Sequence, residues 1–593
     1  MKFVIYQLFV RLFGNKTETN LPYGSIEKNG SGKFADITDK ALNKLKLLGA
    51  THIWYTGVIE HSTTTDYSAF GILADHPCVV KGRAGSPYAI KDYYDVDPDL
   101  SVNPAERMRE FEDLIKRTQS AGLKSIIDFV PNHLARKYYS DVKPLGTKDL
   151  GEDDDKSLSF SPQNNFYYLV GQSFQTPHEY ETLVNRFIPP SMERHFEERP
   201  AKATGNDVFS PSPGINDWFE TVKLNYGVDY ANGRQKHFSP TPDVWLKMTD
   251  ILMFWAEKGV DGFRCDMCEM VPTEFWQYAI AKVKSKFRDV IFIGEAYSPD
   301  NYSAYLSAGF DYLYDKVGLY DTLRAIIRGE SDFRRLCDYR YSPVNGIETR
   351  MLAFLENHDE QRLASSSFAG NPFNAVPVMT VAALLGPGPV MIYNGQESGE
   401  EGGGAQGFGG GDGRTSIFDY GHMPKHLRWM NGGAFDGGAS TEKERALFDF
   451  YRKLLNICLA ERAIIEGKFI ELQMANAQSE GFNQYKNYAF MRYTDKERLL
   501  VFVTVDTIAP DLWLKIPADE AQLAGIDADA RYSISSLDLG QAFVFDENLT
   551  GADFSTSGLH IRGSGMSAVV LKIRMIQDFK NQEPRIKTLR SLD

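Results

Sequence analysis

The chain has 593 residues, 42% of them hydrophobic, and a formal net charge of −14. This length exceeds what one compact core usually holds, so we expect two or three domains. The negative charge disfavours nucleic acid as a partner, no apolar run reaches the ~20 residues of a membrane span, and the five scattered cysteines predict reduced thiols. The apolar start of the chain is interrupted by Gln7 and Arg11. It therefore predicts a buried strand rather than a signal peptide, and a cytoplasmic protein.

Short apolar segments alternate with amphipathic ones over most of the chain. The candidate strands are Val4–Leu8, His52–Tyr55, Ser125–Phe129, Gly262–Cys265, Ile291–Ile293, Tyr312–Tyr314, Met351–Leu355 and Val390–Tyr393. The clearest candidate helices between them are Asp39–Leu48, Ala105–Ala121, Val244–Lys258 and Thr273–Lys286. Eight strand–helix units predict an α/β protein built on a (β/α)₈ barrel.

Two regions fall outside this alternation. The connection between the third strand and the helix at Val244 is far longer than a barrel connection normally is. We therefore predict an inserted subdomain over residues 134–235, with the barrel formed by 1–133 and 236–459. The remaining segment, 460–593, contains short β-rich stretches separated by turns and predicts an all-β sandwich domain. Its candidate strands are Gly467–Leu472, Tyr488–Tyr493, Leu499–Val505, Tyr532–Ser536 and Ser567–Ile573.

Polar side chains follow four of the candidate barrel strands directly. Asp128 ends the third strand, Asp266 follows the fourth, Glu295 follows the fifth, and His358 and Asp359 follow the seventh. The carboxyl ends of parallel barrel strands share one rim, so we expect these side chains to converge on one pocket. Two carboxyl groups held roughly 5–5.5 Å apart are what retaining hydrolysis of a glycosidic bond requires.

The four strand-end segments read DFVPNH, GFRCD, GEA and ENHD. In this order they resemble the signature motifs of glycoside hydrolase family 13, the α-amylase family, and the resemblance extends over essentially the whole chain. It implies a retaining enzyme that cleaves α-1,4 bonds of starch, glycogen or maltooligosaccharides. The implied catalytic groups are Asp266 as nucleophile, Glu295 as general acid/base, and Asp359 as a third acid that binds sugar hydroxyls.

The resemblance also implies residues that bind the sugar. Arg264 precedes the nucleophile by two residues, and its fixed positive charge is expected to hold Asp266 ionised. His133 and His358 resemble the histidines that hydrogen-bond the sugar in the −1 position. The segment SPYAIKDYYDVDP is similar to the one whose tyrosine stacks on that sugar, here Tyr88. Arg362 stands where members with the pattern NHD-x-x-R place an arginine near the pocket.

Two departures from the family pattern bear on specificity. Ala89 follows Tyr88 at the position where exo-acting α-glucosidases have an aspartate that clamps the terminal sugar, so action on internal chain segments is favoured. Glu269 and Met270 stand where typical α-amylases have Lys-His. Contacts on the +1 side must therefore differ, and the choice between hydrolysis and transfer to another sugar stays open.

A third departure concerns calcium. The segment TVKLNYG resembles the family's fifth motif, but Lys223 replaces the aspartate that usually binds the ion. A lysine cannot bind a cation, and its ammonium could lie in the place of the ion, bridging the insertion to the barrel near Asn132. Asp128, Asn132 and Lys223 are expected to be structural residues near the site. We predict no calcium there, no metal at the catalytic centre and no required cofactor. The acidic run Glu152–Asp155 could bind another ion, although a solvated loop is favoured.

Four hypotheses about activity follow. The first is a retaining α-glucan hydrolase, with an α-glucan or maltooligosaccharide as its partner. The second is a transglycosylase of the same family, in which a sugar replaces water as the acceptor. An exo-acting α-glucosidase is less favoured because of Ala89. A non-catalytic glucan-binding or transport-associated relative is disfavoured because such proteins tend to lose catalytic acids, and Asp266, Glu295 and Asp359 are all present.

Overall fold

The computed structural model describes residues 2–341, 344–402, 407–409 and 411–576. The chain divides into two compact units, Met1–Ala460 and Glu461–Asp593. The predicted domain over 460–593 is therefore described only as far as residue 576. Within the described ranges, no helix has the length and apolar character that crossing a membrane would require.

The first unit is built around one eight-stranded parallel sheet. Its strands are β1 Val4–Phe9, β2 His52–Thr56, β3 Lys124–Phe129, β4 Gly262–Cys265, β5 Ile291–Gly294, β6 Tyr312–Tyr314, β7 Met351–Leu352 and β8 Val390–Tyr393. They are hydrogen-bonded in the order β7-β6-β5-β4-β3-β2-β1-β8. A parallel bridge between Ala353 and Val390 brings the two ends of the sheet together. The predicted (β/α)₈ barrel is confirmed.

The apolar strand segments reflect burial on both faces of the sheet. Every residue of β1, β2 and β8 is buried, as expected for parallel strands covered on both faces. The prediction of a strand over Met351–Leu355 is wrong in length, because β7 ends at Leu352. Phe354 and Leu355 are fully buried, so their apolar character reflects packing rather than strand pairing.

Helices cover the outside of the barrel strands. Those of six or more residues in the barrel are Asp39–Leu48, Arg107–Ser120, Asp243–Glu257, Thr273–Lys286, Tyr302–Ser307, Asp321–Ile327, Arg334–Tyr341, Val376–Leu384, Pro424–Met430 and Glu442–Ala460. The predicted helix start at Ala105 is wrong, because Pro104–Glu106 forms a 3₁₀ turn whose first N–H bonds the Asn103 side chain. The α-helix begins only at Arg107.

The segment between β3 and the helix Asp243–Glu257 consists mainly of loops joined by short strand pairs. The antiparallel pairs are His133–Ala135 with Thr221–Lys223, Tyr168–Leu169 with Ala201–Lys202, and Val228–Asp229 with Gln235–Lys236. A helix at His178–Val184 packs its buried Tyr180 against Phe219. The first strand pair sets His133 opposite Lys223, so the two ends of the insertion meet beside β3. Its limits at 134 and 235 remain a prediction.

The second unit contains two antiparallel sheets. The six-stranded sheet has, in spatial order, Lys468–Glu471, Asn487–Tyr493, Arg498–Thr504, Ser567–Met575, Arg531–Leu537 and Asn548–Thr550. The three-stranded sheet has Asp511–Leu514, Leu559–Arg562 and Val544–Phe545. One buried apolar cluster contains residues of both sheets, among them Phe502 and Leu512. The C-terminal β domain is confirmed, but two short helices, Ala518–Leu523 and Gly551–Ser555, are added to it.

Candidate active site

One buried arginine connects the strand-end acids. Arg264 on β4 is fully buried, and its Nη1 lies 2.8 Å from Oδ1 of Asp266 and 3.3 Å from Oδ1 of Asp128. Its Nη2 lies 2.5 Å from Oε1 of Glu295, and its Nε donates to the Tyr314 hydroxyl at 3.1 Å. Carboxylates from the ends of three neighbouring strands therefore share a single guanidinium.

The register of the barrel produces this arrangement. Arg264 pairs with Asp128 across β3 and β4, so the two side chains stand at the same level of the barrel. The ladder continues one residue past the strands, because the N–H of Asp266 donates to the carbonyl of Phe129 at 2.9 Å and the N–H of Glu295 to that of Cys265 at 3.1 Å. These backbone bonds fix both acids at the rim.

Asp266 offers one free carboxylate oxygen. Its Oδ1 is bound by Arg264, whereas Oδ2 has no hydrogen-bond partner among the described residues and lies 4.0 Å from Nε2 of His133. Burial and the negative charge of Glu295 raise the pKa of Asp266 well above its usual range, and Arg264 opposes them. The expectation that Arg264 simply holds Asp266 ionised is thus incomplete, because burial and a second acid outweigh it. A buried, unpartnered oxygen is suited to attack on an electrophilic carbon.

Glu295 is held by donors that the sequence did not reveal. Its side chain is 3% exposed, and its Oε1 accepts from the Tyr297 hydroxyl at 2.6 Å. Its Oε2 accepts from the backbone N–H of Met267 at 2.7 Å. Met267 has a φ of +42°, an unusual conformation for a residue with a side chain. This turn, directly after Asp266, aims the Met267 amide at Glu295.

Glu269 explains one departure from the family pattern. Its Oε2 accepts from the backbone N–H groups of Tyr297 at 2.6 Å and Ser298 at 3.1 Å, and its Oε1 accepts from the Asn301 amide at 2.8 Å. The carboxylate therefore fixes the segment after β5 that carries Tyr297. Glu269 acts within the protein, holding in place the tyrosine that contacts Glu295.

His358 and Asp359 lie beside these acids. Nε2 of Gln7 lies 2.8 Å from Nδ1 of His358, and the other ring nitrogen, Nε2 of His358, faces Tyr88 and Asp359. That nitrogen lies 2.5 Å from the Tyr88 hydroxyl and 3.0 Å from Oδ2 of Asp359. Burial would raise the pKa of Asp359, but His358 and Arg264 outweigh it and bring the pKa to about 2. With 42% of its side chain exposed, Asp359 is an ionised acid open to a ligand.

Tyr88 belongs to the site, but its hydroxyl is already engaged. It donates to Oδ1 of Asp128 at 3.2 Å, and its ring stacks on the His358 imidazole at 5.1 Å between centroids. Asp128 is bound at Oδ2 by the Trp54 indole at 3.0 Å and by the N–H of Gly57 at 3.3 Å. A chain of hydrogen bonds thus runs from His358 through Tyr88 to Asp128, and it fixes the orientation of the tyrosine ring.

His133 is a neutral donor at the site. The Asn132 side-chain amide donates to its Nδ1 at 3.2 Å, which leaves the hydrogen on Nε2, facing Asp266. Burial, Lys223 and Lys81 lower the pKa of His133 to about 3. The imidazole therefore stays uncharged at neutral pH and can donate one hydrogen bond without adding positive charge to the pocket.

The structure does not place Arg362 in the pocket. Its side chain is fully buried, with Nη1 3.0 Å from Oε2 of Glu356 and 3.0 Å from the carbonyl of Asn394. Its Nε donates to the Thr415 hydroxyl at 2.8 Å. The prediction of a substrate-binding role is corrected, because these bonds engage the guanidinium in holding the ends of β7 and β8 together.

The acids open into a cavity of about 370 Å³, a volume in the usual range of ligand pockets. The insertion forms one wall of it. The lining residues are Lys81, Ser86, Tyr88, His133, Trp218, Glu220, Thr221, Asp266, Met267, Glu295, Tyr297, Asp359, Ile417 and Phe418. Lys81 and Glu220 form an ion pair at 2.9 Å within this wall. A larger cavity of about 640 Å³ in the insertion region contains none of the predicted catalytic residues.

Lys223 lies beside Asn132, at the junction of the insertion and the segment after β3. Its Nζ donates to Oδ1 of Asn132 at 2.7 Å and lies 2.6 Å from Oδ1 of Asp207, and its side chain is 2% exposed. The amide and carboxylate oxygens that could bind an ion thus already bind an ammonium group. The residues present here do not fit a calcium ion, which supports the prediction of no calcium at this position.

Exchanging the lysine tests this prediction. We expect Lys223→Asp to lower the melting temperature in EDTA, because the new carboxylate repels Asp207, and to recover with calcium more than the wild type does. Lys223→Met, the control, removes the charge without adding a ligand and should lose about 3–5 kcal/mol of stability with no added response to calcium. A calcium response of the wild type that disappears in Lys223→Met would contradict the prediction.

Comparisons with known proteins show which family this chain is similar to. The family described as "Alpha amylase, catalytic domain" matches residues 7–416. "Alpha-amylase 2" of Dictyoglomus thermophilum is 22% identical over 518 residues, which cover 85% of this chain and 69% of that protein. A cyclomaltodextrin glucanotransferase of Geobacillus stearothermophilus is 23% identical over 416 residues, 66% of this chain and 49% of that protein.

A solved structure shows the same fold. The crystal structure of an alpha-amylase from Geobacillus thermoleovorans, complexed with acarbose, superposes with a TM-score of 0.60 at 18% identity and covers 96% of this chain and 98% of that one. The family match includes all four strand-end motifs of the barrel. The chain therefore belongs to glycoside hydrolase family 13, the α-amylase family of glycosidases and glycosyl-transferring enzymes.

Proposed function

We propose that the protein is a retaining α-glucan hydrolase that cleaves α-1,4-glucosidic bonds of starch, glycogen or maltooligosaccharides. The observation that carries the proposal is the pair formed by Asp266 and Glu295 on one guanidinium. Asp266 keeps an unpartnered Oδ2, whereas both oxygens of Glu295 are held by neighbouring donors. One acid is thus free to form a bond and the other is fixed in orientation for proton transfer.

The reactive form has Asp266 as the carboxylate and the proton of the pair on Glu295. In the first step, Glu295 gives that proton to the glycosidic oxygen while Oδ2 of Asp266 attacks the anomeric carbon. The bond between that carbon and the glycosidic oxygen breaks, and the leaving sugar departs as an alcohol. Arg264 stays bound to the other oxygen of Asp266, so the nucleophile does not rotate during attack. The sugar is then held as an ester of Asp266.

In the second step, Glu295 takes a proton from water, and the resulting hydroxide oxygen displaces Asp266 from the anomeric carbon. Positive charge develops on the sugar ring in both transition states. Asp359, which is ionised because its pKa is about 2, supplies a negative charge and two acceptor oxygens to the sugar hydroxyls. The neutral imidazole of His133 supplies a donor without opposing that positive charge.

Ala89 supports action on internal bonds. A buried methyl group stands where an exo-acting α-glucosidase would present a carboxylate to the terminal sugar. Without that charge, the non-reducing end of a chain gains no special interaction there. The exo-acting alternative is accordingly less favoured than cleavage within a chain.

The second candidate is transfer of the sugar to another sugar. It uses the same ester on Asp266 and replaces water by a sugar hydroxyl in the second step. Two observations support it. The position where typical α-amylases have a lysine holds Glu269, whose carboxylate is engaged within the protein. In addition, one relative is a glucanotransferase.

The catalytic roles predict the effect of two isosteric substitutions. We expect Asp266→Asn and Glu295→Gln each to lower kcat by about 10³-fold or more, because the ester cannot form or the proton cannot be transferred. Burial disfavours the charged form of Asp266, so Asp266→Asn should keep the melting temperature of the wild type. Asp113→Asn, on an exposed helix face, is the matched control. Turnover close to that of the wild type in either site variant would refute these roles.

Replacing Tyr297 is expected to lower kcat less than replacing either acid. Tyr297→Phe removes one hydrogen bond to Glu295 and keeps the ring, and a bond to a charged group is worth about 1.5–3 kcal/mol. We therefore expect kcat to fall about 10- to 100-fold with little change in KM. Glu269→Gln, which weakens the acceptor that holds the Tyr297 backbone, should reduce kcat in the same direction but less. Unchanged kcat in Tyr297→Phe would show that the hydroxyl has no part in positioning Glu295.

Product analysis distinguishes hydrolysis from transfer. With maltoheptaose as substrate, a hydrolase yields shorter maltooligosaccharides only, even when the substrate is in excess, because water intercepts the ester. Chromatography of the products over time, with Asp266→Asn as the blank, provides the measurement. Accumulation of chains longer than maltoheptaose would favour the transglycosylase instead.

A further inference from the structure

A buried acid outside the catalytic pocket has no hydrogen-bond partner. Glu60 lies on the strand Ile59–His61, which pairs with the strand Ile90–Val96. The residue is 1% exposed, and neither of its carboxylate oxygens is hydrogen-bonded by any described residue. Burying a carboxyl group without a partner costs several kcal/mol. The structure thus calls for a proton or a cation at Glu60.

Two further carboxylates surround the same space. Glu60 faces Asp92 across the strand pair, and one carboxylate oxygen from each of Glu60, Asp92 and Asp141 lies within 4.8 Å of the other two. Two ligands of one calcium ion can be separated by at most twice the calcium–oxygen distance of roughly 2.4 Å. The three oxygens are therefore spaced as ligands of a single ion, without rearrangement of the backbone.

Asp92 also fixes the third ligand in place. Its Oδ2 accepts from the backbone N–H of Asp141 at 3.0 Å, and its Oδ1 accepts from the Ser140 hydroxyl at 2.7 Å and the N–H of Tyr94 at 2.7 Å. These bonds orient the Asp92 carboxylate and tether Asp141 beside it. The cluster is thus built into the backbone rather than assembled from flexible surface side chains.

Neighbouring cations balance only part of the charge of the three carboxylates. Arg107 binds Asp95 through Nε at 2.7 Å and Asp141 through Nη2 at 3.0 Å, and Lys91 binds Asp75 at 3.1 Å. Arg107 is thus shared between Asp95 and the cluster member Asp141, and Lys91 is paired with Asp75 outside the cluster. The Glu60 carboxylate itself is left without a hydrogen-bond partner among the described residues.

We propose that Glu60, Asp92 and Asp141 bind a divalent cation of the kind that prefers oxygen ligands, with calcium the best fit to the spacing. The ligands are all carboxylates, which suit calcium, magnesium or manganese rather than softer metals. The site uses none of the residues around Lys223, and it does not depend on the proposed sugar chemistry.

The position of the site gives the cation a structural role. It joins the strand pair after β2 to Asp141, which follows the strand His133–Ala135 at the start of the insertion. The hydroxyl of Tyr93, next to Asp92, donates to the carbonyl of Val130 at 2.6 Å and lies 3.1 Å from the carbonyl of His133. Binding would therefore stabilise the segment that supports His133, without contact between the ion and substrate.

Calorimetry and thermal unfolding of the whole protein test the proposal. After removal of metals with EDTA at pH 8, we expect calcium to bind and to raise the melting temperature by about 2–4 °C. Glu60→Gln and Asp141→Asn should each weaken calcium binding at least tenfold. Glu152→Gln, in the exposed acidic run, is the matched control and should bind as the wild type does. Parallel titrations with magnesium and manganese rank the ions.

Two results would overturn the proposal. One is no binding of calcium, magnesium or manganese by the wild type. The other is a Glu60→Gln variant that binds calcium as tightly as the wild type does, or that melts at a higher temperature than the wild type both in EDTA and in calcium. Either result would show that Glu60 is a buried neutral acid. If Glu60→Gln does not fold, the half-buried Asp141→Asn decides: unchanged affinity there also overturns the proposal.

Discussion

The arrangement of the acids at the ends of β3, β4 and β5 depends on the burial of a single guanidinium. A buried arginine is tolerated only when acids surround it, and removing one partner of such a pair leaves the other charge unpaired at a cost of several kcal/mol. Arg264 meets Asp128, Asp266 and Glu295, so three acids share one positive charge. The excess of negative charge favours retention of a proton within the group. The charge balance that makes this burial tolerable therefore also suits the proposed pairing of an acid with a nucleophile.

The loops after β4 and β5 bind each other at this centre. The amide of Met267 reaches Glu295 across the gap between them, and the carboxylate of Glu269 returns to the backbone at Tyr297. Both bonds link the loop after β4 to the loop after β5, and they fix the Glu295 side chain and the Tyr297 backbone. A change that loosens either loop is expected to disturb Glu295 before it disturbs the barrel.

The fold, and the convergence of the strand-end acids, could be predicted because both depend on local sequence. Strands covered on both faces are continuously apolar, and Asp266 and Glu295 follow such strands directly. Tyr297 was missed because its role comes from a loop conformation that Glu269 sets from elsewhere in the chain. Arg362 was misplaced because a motif gives its position along the chain but not the direction of its side chain. Glu60 belongs to no motif, and only burial and strand pairing in three dimensions reveal it.

The ammonium group of Lys223 differs from a bound ion because it cannot exchange with the surrounding solution. An ion leaves its ligands at a rate and to an extent set by its concentration in the surroundings. The Lys223 charge is attached to the backbone, so its local concentration beside Asn132 and Asp207 is constant. Dilution, chelators and changes of ionic composition cannot remove it. The contact between the insertion and the segment after β3 at Asn132 is therefore complete as soon as the chain has folded.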